Sequence, residues 1–149
     1  MHIITRMLKS FSAAHRLTHG YVGKCANLHG HDYGAKLTLG SPELNQHGFV
    51  TDFTDITKYF DNWINKNLDH KTIVSSADKP LLDFVITEKQ EHYVIPNGKN
   101  TTVENLCKHL FQKFEEILEE KLRQTNPSLK LITIEVWETS LSSAIYNND

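Results

Sequence analysis

The segment ending at Leu122 constrains this fold more than any other. Val103, Leu106, Cys107, Leu110, Phe111, Phe114, Ile117, Leu118 and Leu122 recur at the i, i+3, i+4, i+7 spacing of an amphipathic helix. Such a stripe is stable only against a second apolar surface. Thr101-Thr102-Val103-Glu104 reads as a capping box, with Thr101 as N-cap and Glu104 at N3, and Pro127 marks the far limit. Ile56, Tyr59, Phe60, Trp63, Ile64 and Leu68 form a second helical stripe, with Asp52 or Thr54 as its N-cap. The flanking segments have the two-residue period of strands. Residues 2–17 are extended. In 31–41, Tyr33, Ala35, Leu37 and Leu39 share a face, and in 129–139, Ile132, Ile134 and Val136 do. Residues 142–146 return through a turn at Ser140-Leu141. The order β-β-α-α-β-β predicts an α+β fold, with two helices on one face of an antiparallel sheet. The connector 70–100 is long enough to carry structure of its own, and a hairpin of Leu82–Ile86 with His92–Ile95 is expected there. The open sheet edges favour pairing with further copies of the chain.

Composition narrows the function. A length of 149 residues suits one domain spanning 1–149. Sixteen Lys+Arg against eighteen Asp+Glu give a formal charge of -2, which offers a nucleic-acid partner no basic surface excess. No apolar run reaches the roughly 20 residues of a membrane span, and no membrane partner is expected. Two cysteines make no disulfide framework, and no signal peptide is visible, so the expected compartment is the cytoplasm. The unusual number is nine histidines.

His29-Gly30-His31 opens a strand, where residues i and i+2 face the same way. His15 closes the N-terminal stretch that is the natural partner of that strand. Three neutral imidazoles with an open fourth position are the donor set of a catalytic zinc site; the bland alternative is a chance His-x-His of ordinary polar strand residues. His2, His47, His92 and His109 read as solvated, and His19 sits in a loop where it would face a ligand. Cys25 lies in the loop before His29. It reads as a base or nucleophile, as a fourth metal ligand, or as an inert thiol. Cys107 falls on the apolar helical stripe and reads as core. Asp69-His70 follows the first helical stripe, either as a proton relay or as a histidine placed for the helix dipole. Glu138 continues the parity of the apolar strand face. A carboxylate there needs a donor-rich partner, such as a heterocycle with an amino group beside a ring N–H, unless it reaches solvent at the strand end.

These residues, taken in order, resemble the 6-pyruvoyl-tetrahydropterin synthase and 6-carboxy-tetrahydropterin synthase superfamily. The resemblance is carried by Phe11-Ser12-Ala13-Ala14-His15-Arg16-Leu17, by Cys25 through His29-Gly30-His31, and by Gly48-Phe49-Val50-Thr51-Asp52-Phe53. Leu68-Asp69-His70, Thr101 to Leu106 and Trp137-Glu138-Thr139 complete it. It implies the tunnelling fold (T-fold), in which subunits join through sheet edges into trimers stacked as hexamers, with active sites between subunits. It implies Zn2+ on His15, His29 and His31, Cys25 as catalytic base, and Asp69 with His70 as a proton relay. It also implies Glu138 as anchor of the pterin ring, with Thr101, Thr102 and Glu104 near that ring. The implied substrate is 7,8-dihydroneopterin triphosphate. The short Cys25-x-x-x-His29-x-His31 spacing resembles the 6-carboxy-5,6,7,8-tetrahydropterin synthases of queuosine precursor biosynthesis, which release acetaldehyde and triphosphate. The pyruvoyl-forming enzymes typically have two more residues there. A non-catalytic zinc- or pterin-binding domain on the same fold is the third alternative. The chain departs from the family pattern in its longer 71–100 connector and in Thr101, where many members have Pro. Arg16 and Lys24 are candidates for the triphosphate.

Overall fold

A computed structural model describes the whole chain, residues 1–149. Strand β1 (His2–Met7) and strand β2 (Phe11–His15) are one extended stretch broken at 8–10, and both pair antiparallel with the long strand β3 (His29–Ser41). Helix α1 has three successive pieces: Phe53–Ile56, a π-helical Thr57–Asp61, and Asn62–Asn67. Strand β4 (Lys71–Ser75), helix α2 (Lys79–Thr87) and strand β5 (His92–Ile95) make up the connector. Helix α3 (Val103–Ile117) has a π-helical continuation, Leu118–Leu122, and strands β6 (Lys130–Thr139) and β7 (Ser142–Tyr146) end the chain. The sheet has seven strands, ordered β5-β4-β2-β3-β6-β7, with β1 beside the far half of β3.

The two stripes behave as their spacing requires. Ile56, Phe60, Ile64 and Leu68 of the first, and Leu106, Cys107, Leu110 and Phe114 of the second, are all buried. They cover the face of β3 that carries Tyr33, Ala35, Leu37 and Leu39. Edge-on aromatic contacts of Phe114 with Phe60 and Trp63 join the two helices. Asp52 caps α1, accepting from the Thr54 N–H. No helix is long and apolar enough to cross a membrane.

The structure corrects the sequence reading in five places. Residues 82–86 are not a hairpin strand but part of α2, which is started by Asp78 as N-cap and Pro80 in the first turn; Leu81 and Val85 bury against Val74. β5 then pairs parallel to β4, and β4 parallel to β2, so the sheet is mixed and larger than the antiparallel core. Thr102, not Thr101, caps α3, accepting from the Asn105 N–H. Ile132 does not share the face of Ile134 and Val136. A bulge between Thr38 and Leu39 puts Leu131 opposite Leu39 and leaves Ile132 out of register. His109 is buried rather than solvated, its Nε2 lying 2.7 Å from the Tyr93 hydroxyl.

Candidate functional site

The register of β2 against β3 builds the site. His15 stands opposite His29, and Ala13 opposite His31. All three histidines therefore lie on the face that carries Phe11 and Tyr33, at the end of the sheet where the core stops. The ring centroids are 4.7 Å apart for His15–His29, 4.9 Å for His29–His31 and 5.2 Å for His15–His31. One ring nitrogen from each lies within 4.8 Å of the others.

The tautomers follow from the hydrogen bonds. His15 Nδ1 is 2.8 Å from the Thr101 carbonyl, and His29 Nδ1 is 2.6 Å from the Asn27 carbonyl. A carbonyl only accepts, so each Nδ1 carries the proton and each Nε2 presents a lone pair. The Nε2 atoms of His15, His29 and His31 are buried without a hydrogen-bond partner. Burial holds His15 below the usual histidine range, and the neighbouring His29 and His31 add to that against the opposing pull of Thr101 and Glu138. Three converging, buried and partnerless imidazole nitrogens, two of them with the lone pair set by a carbonyl on Nδ1, fit a borderline divalent metal.

Glu138 reaches the same place from β6, at a register irregularity between Trp137 and Thr139. Its Oε1 lies 3.3 Å from His15 Nε2 and 3.4 Å from His31 Nε2. Tyr33 sits beneath, stacked on Phe11 and edge-on to His31. Its hydroxyl is buried without a partner, and burial raises its pKa far above the usual tyrosine value.

The other predicted residues sit around this cup. Thr101 is buried and held from three sides. Its carbonyl meets His15, its Oγ1 donates to the Arg16 carbonyl at 3.1 Å, and its N–H donates to Asn100 Oδ1 at 3.1 Å. Thr102 is occupied as the helix cap, and Glu104 is exposed on the first turn of α3. Cys25 is half-buried in the short turn Lys24–Ala26, which is tied to the end of β2 by the Leu17 N–H donating to the Cys25 carbonyl.

Asp69 and His70 follow α1. His70 has a positive φ of 59°, which turns the chain so that its N–H reaches the Ser12 carbonyl at 2.7 Å. Asp69 accepts the Ser12 N–H at 3.0 Å and lies 2.9 Å from His70 Nδ1. Burial works to raise the Asp69 carboxyl, but the Ser12 N–H and His70 outweigh it and hold it below the usual carboxylate range. The His70 ring is exposed and borders a recess of about 480 Å³ with Ser12, Ala14, Gly30 and Asp32, the even-numbered face of β2 and β3. Within one chain no hydrogen bond brings this pair to Cys25.

Two residues of the connector escaped the sequence reading. Asp78 grips Arg16 with two bonds of 2.6 and 2.7 Å, so this triphosphate candidate already has a carboxylate partner. Asn100 joins Thr18 to Thr101. The Asp78-Lys79-Pro80 helix start was a readable signal for the first; nothing local marks the second.

The model of the family described as 6-pyruvoyl tetrahydropterin synthase matches residues 3–149. A 6-carboxy-5,6,7,8-tetrahydropterin synthase of Rickettsia bellii is 34% identical over 101 residues, covering 67% of this chain and 71% of that protein. The human 6-pyruvoyl tetrahydrobiopterin synthase is 26% identical over 151 residues, covering 94% and 88%. The solved structure of the Caenorhabditis elegans 6-pyruvoyl tetrahydropterin synthase superposes with a TM-score of 0.67 at 27% identity, covering 100% of this chain and 98% of that one.

Proposed function

The chain belongs to the 6-pyruvoyl tetrahydropterin synthase family, and we propose that within it this protein is a zinc-dependent 6-carboxy-5,6,7,8-tetrahydropterin synthase. The reaction takes 7,8-dihydroneopterin triphosphate and water to 6-carboxytetrahydropterin, acetaldehyde and triphosphate, a step toward the queuosine precursor. The observation that carries the metal chemistry is the trio of buried, partnerless Nε2 atoms on His15, His29 and His31. Bound zinc supplies a Lewis acid that polarises the side-chain hydroxyls of the pterin. Glu138 takes the paired N–H donors of the ring and fixes the side chain over the histidines, which orients the reacting carbons. Thr101, Thr102 and Glu104 are the further residues assigned to the surroundings of the ring. Cys25 removes a proton from the side chain, and His70, its tautomer set by Asp69, returns one.

No hydrogen bond joins Cys25 to the Asp69-His70 pair within one chain, and in the proposed assembly the complete site forms between copies. β1 pairs only with β3 and leaves its other edge free. Beside it lies an apolar recess of about 380 Å³, lined by Ile3, Leu44, Phe49 and Phe53 among others. This edge is the proposed trimer contact, with two trimers stacking to a hexamer. The carboxy product is favoured over the pyruvoyl product by the three-residue gap between Cys25 and His29. Incubation with 7,8-dihydroneopterin triphosphate tests the choice. Acetaldehyde and a 6-carboxypterin mass are expected; a pyruvoyl product without acetaldehyde refutes it. No turnover by zinc-loaded protein leaves the non-catalytic binding domain.

A further inference from the structure

Glu138 sits where a ring-binding carboxylate has no electrostatic reason to be. Its Oε1 faces His15 Nε2 at 3.3 Å and His31 Nε2 at 3.4 Å. His15 has its proton on Nδ1, committed to the Thr101 carbonyl, so the atom facing the carboxylate is a lone pair. The carboxylate oxygen and the His15 lone pair repel at that distance, and the Nε2 atoms of His15 and His31 are both buried without a hydrogen bond. A cation shared among them removes the repulsion. The distances indicate which kind. Two donors each 2.0–2.1 Å from a tetrahedral metal lie about 3.3–3.4 Å apart, the edge of the tetrahedron. Glu138 Oε1 stands at that edge length from two of the three histidine nitrogens.

We infer that Glu138 is a fourth protein ligand of the metal when no pterin is bound. This rests on the metal site proposed above and deepens it. One carboxylate cannot hold the metal and the ring's two N–H donors at once. Ring binding therefore draws Glu138 away and frees the metal's fourth position for the pterin side chain. The half-exposed side chain, at a strand irregularity rather than in a regular ladder, has room for that movement. Ring recognition and metal availability become one event, and in the free protein the metal is closed to adventitious water and anions.

The test uses the full chain stripped of metal and titrated with Co2+ and Zn2+, with far-UV circular dichroism as the check on folding. Wild type is expected to bind one metal per chain, and His29→Ala to lose it. Glu138→Gln is expected to bind about tenfold or more weakly and to give a different Co2+ visible spectrum. Glu138→Asp keeps the charge but withdraws the oxygen by one methylene, so it also weakens binding. Unsubstituted pterin has no side-chain hydroxyls to reach the metal. At saturation, followed by quenching of pterin fluorescence, it is expected to shift the Co2+ spectrum of wild type but not of Glu138→Gln. Affinities of both Glu138 variants within twofold of wild type overturn the inference, as does a wild-type spectrum indifferent to pterin. Failure of wild type to bind metal, or full binding by His29→Ala, refutes instead the metal site on which it rests.

Discussion

Replacing Asn100 with Ala tests whether the connector positions the histidine cup. Asn100 Oδ1 accepts the N–H groups of Thr18 and Thr101, both at 3.1 Å, and its Nδ2 lies 3.4 Å from the Thr18 carbonyl. The alanine variant strands two partly buried backbone donors. At about 1 kcal/mol each, with water replacing part of the loss, the expected destabilisation is about 1–2 kcal/mol. For a chain of this length that lowers the melting temperature by roughly 3–8 °C. Metal binding is the more telling quantity. Thr101 offers His15 the carbonyl that sets its tautomer, at 2.8 Å, and outer groups of this kind change metal affinity by about 10–100-fold. Competition with a chelator at neutral pH reads that loss directly, alongside the melting temperature of the metal-free protein. Asn100→Asp retains the acceptor oxygen for both N–H groups and is expected to restore most of the affinity. If Asn100→Ala melts lower yet binds zinc within twofold of wild type, Asn100 only stabilises the loop and the positioning argument fails.

The two free cysteines differ in access, and thiol labelling separates them. Burial pushes the Cys107 thiol up to about 11, so native protein at pH 8 should alkylate only at Cys25, and denatured protein at both; labelling of Cys107 in the native state refutes its core placement. His109 is held below its usual range by burial first and by Lys113 second. The neutral form is therefore favoured in the fold. Its stability contribution is complete above about pH 6.5 and is lost as pH falls through the depressed folded value. Wild type should lose melting temperature more steeply than His109→Gln between pH 7 and 5, and parallel curves would refute this. Cys25→Ala and His70→Ala should each be inactive alone, yet dissociated and reassembled together they should regain part of the activity. No recovery, although mixed assemblies of the two variants form, places both groups in one chain's site.

The sequence showed most where burial follows one period over many residues. Both long helices and the core of β3 were legible for that reason. The connector misled because Leu82, Phe84 and Ile86 alternate like a strand, yet Phe84 and Ile86 are exposed. The burial is carried by Leu81 and Val85, four residues apart, a signal too short to outweigh the alternation without the Asp78 and Pro80 helix start. Ile132 misled because a bulge resets parity without changing composition. Thr101 and Thr102 are both competent caps, and the choice falls to Thr102 because Thr101 is engaged by His15 and Arg16, residues distant in sequence. His109 is buried for a partner, Tyr93, that only the fold brings near.

The histidine cup needs no device of its own to bring its three rings together. Phe11, Ala13, Tyr33 and Ala35 must face the helices, since a slip of one residue between β2 and β3 would turn them to solvent. His15, His29 and His31 share their parity, so the hydrophobic energy that fixes the core register also fixes the three nitrogens. What the core cannot supply is ring orientation, because an imidazole on a strand still rotates about its side-chain bonds. That is done by single carbonyls, Thr101 for His15 and Asn27 for His29. Both lie outside the strands, in the segments that precede β3 and α3. Substitutions in the core should therefore change stability and metal affinity together, whereas changes around residues 27 and 100–101 should alter affinity well beyond their effect on stability.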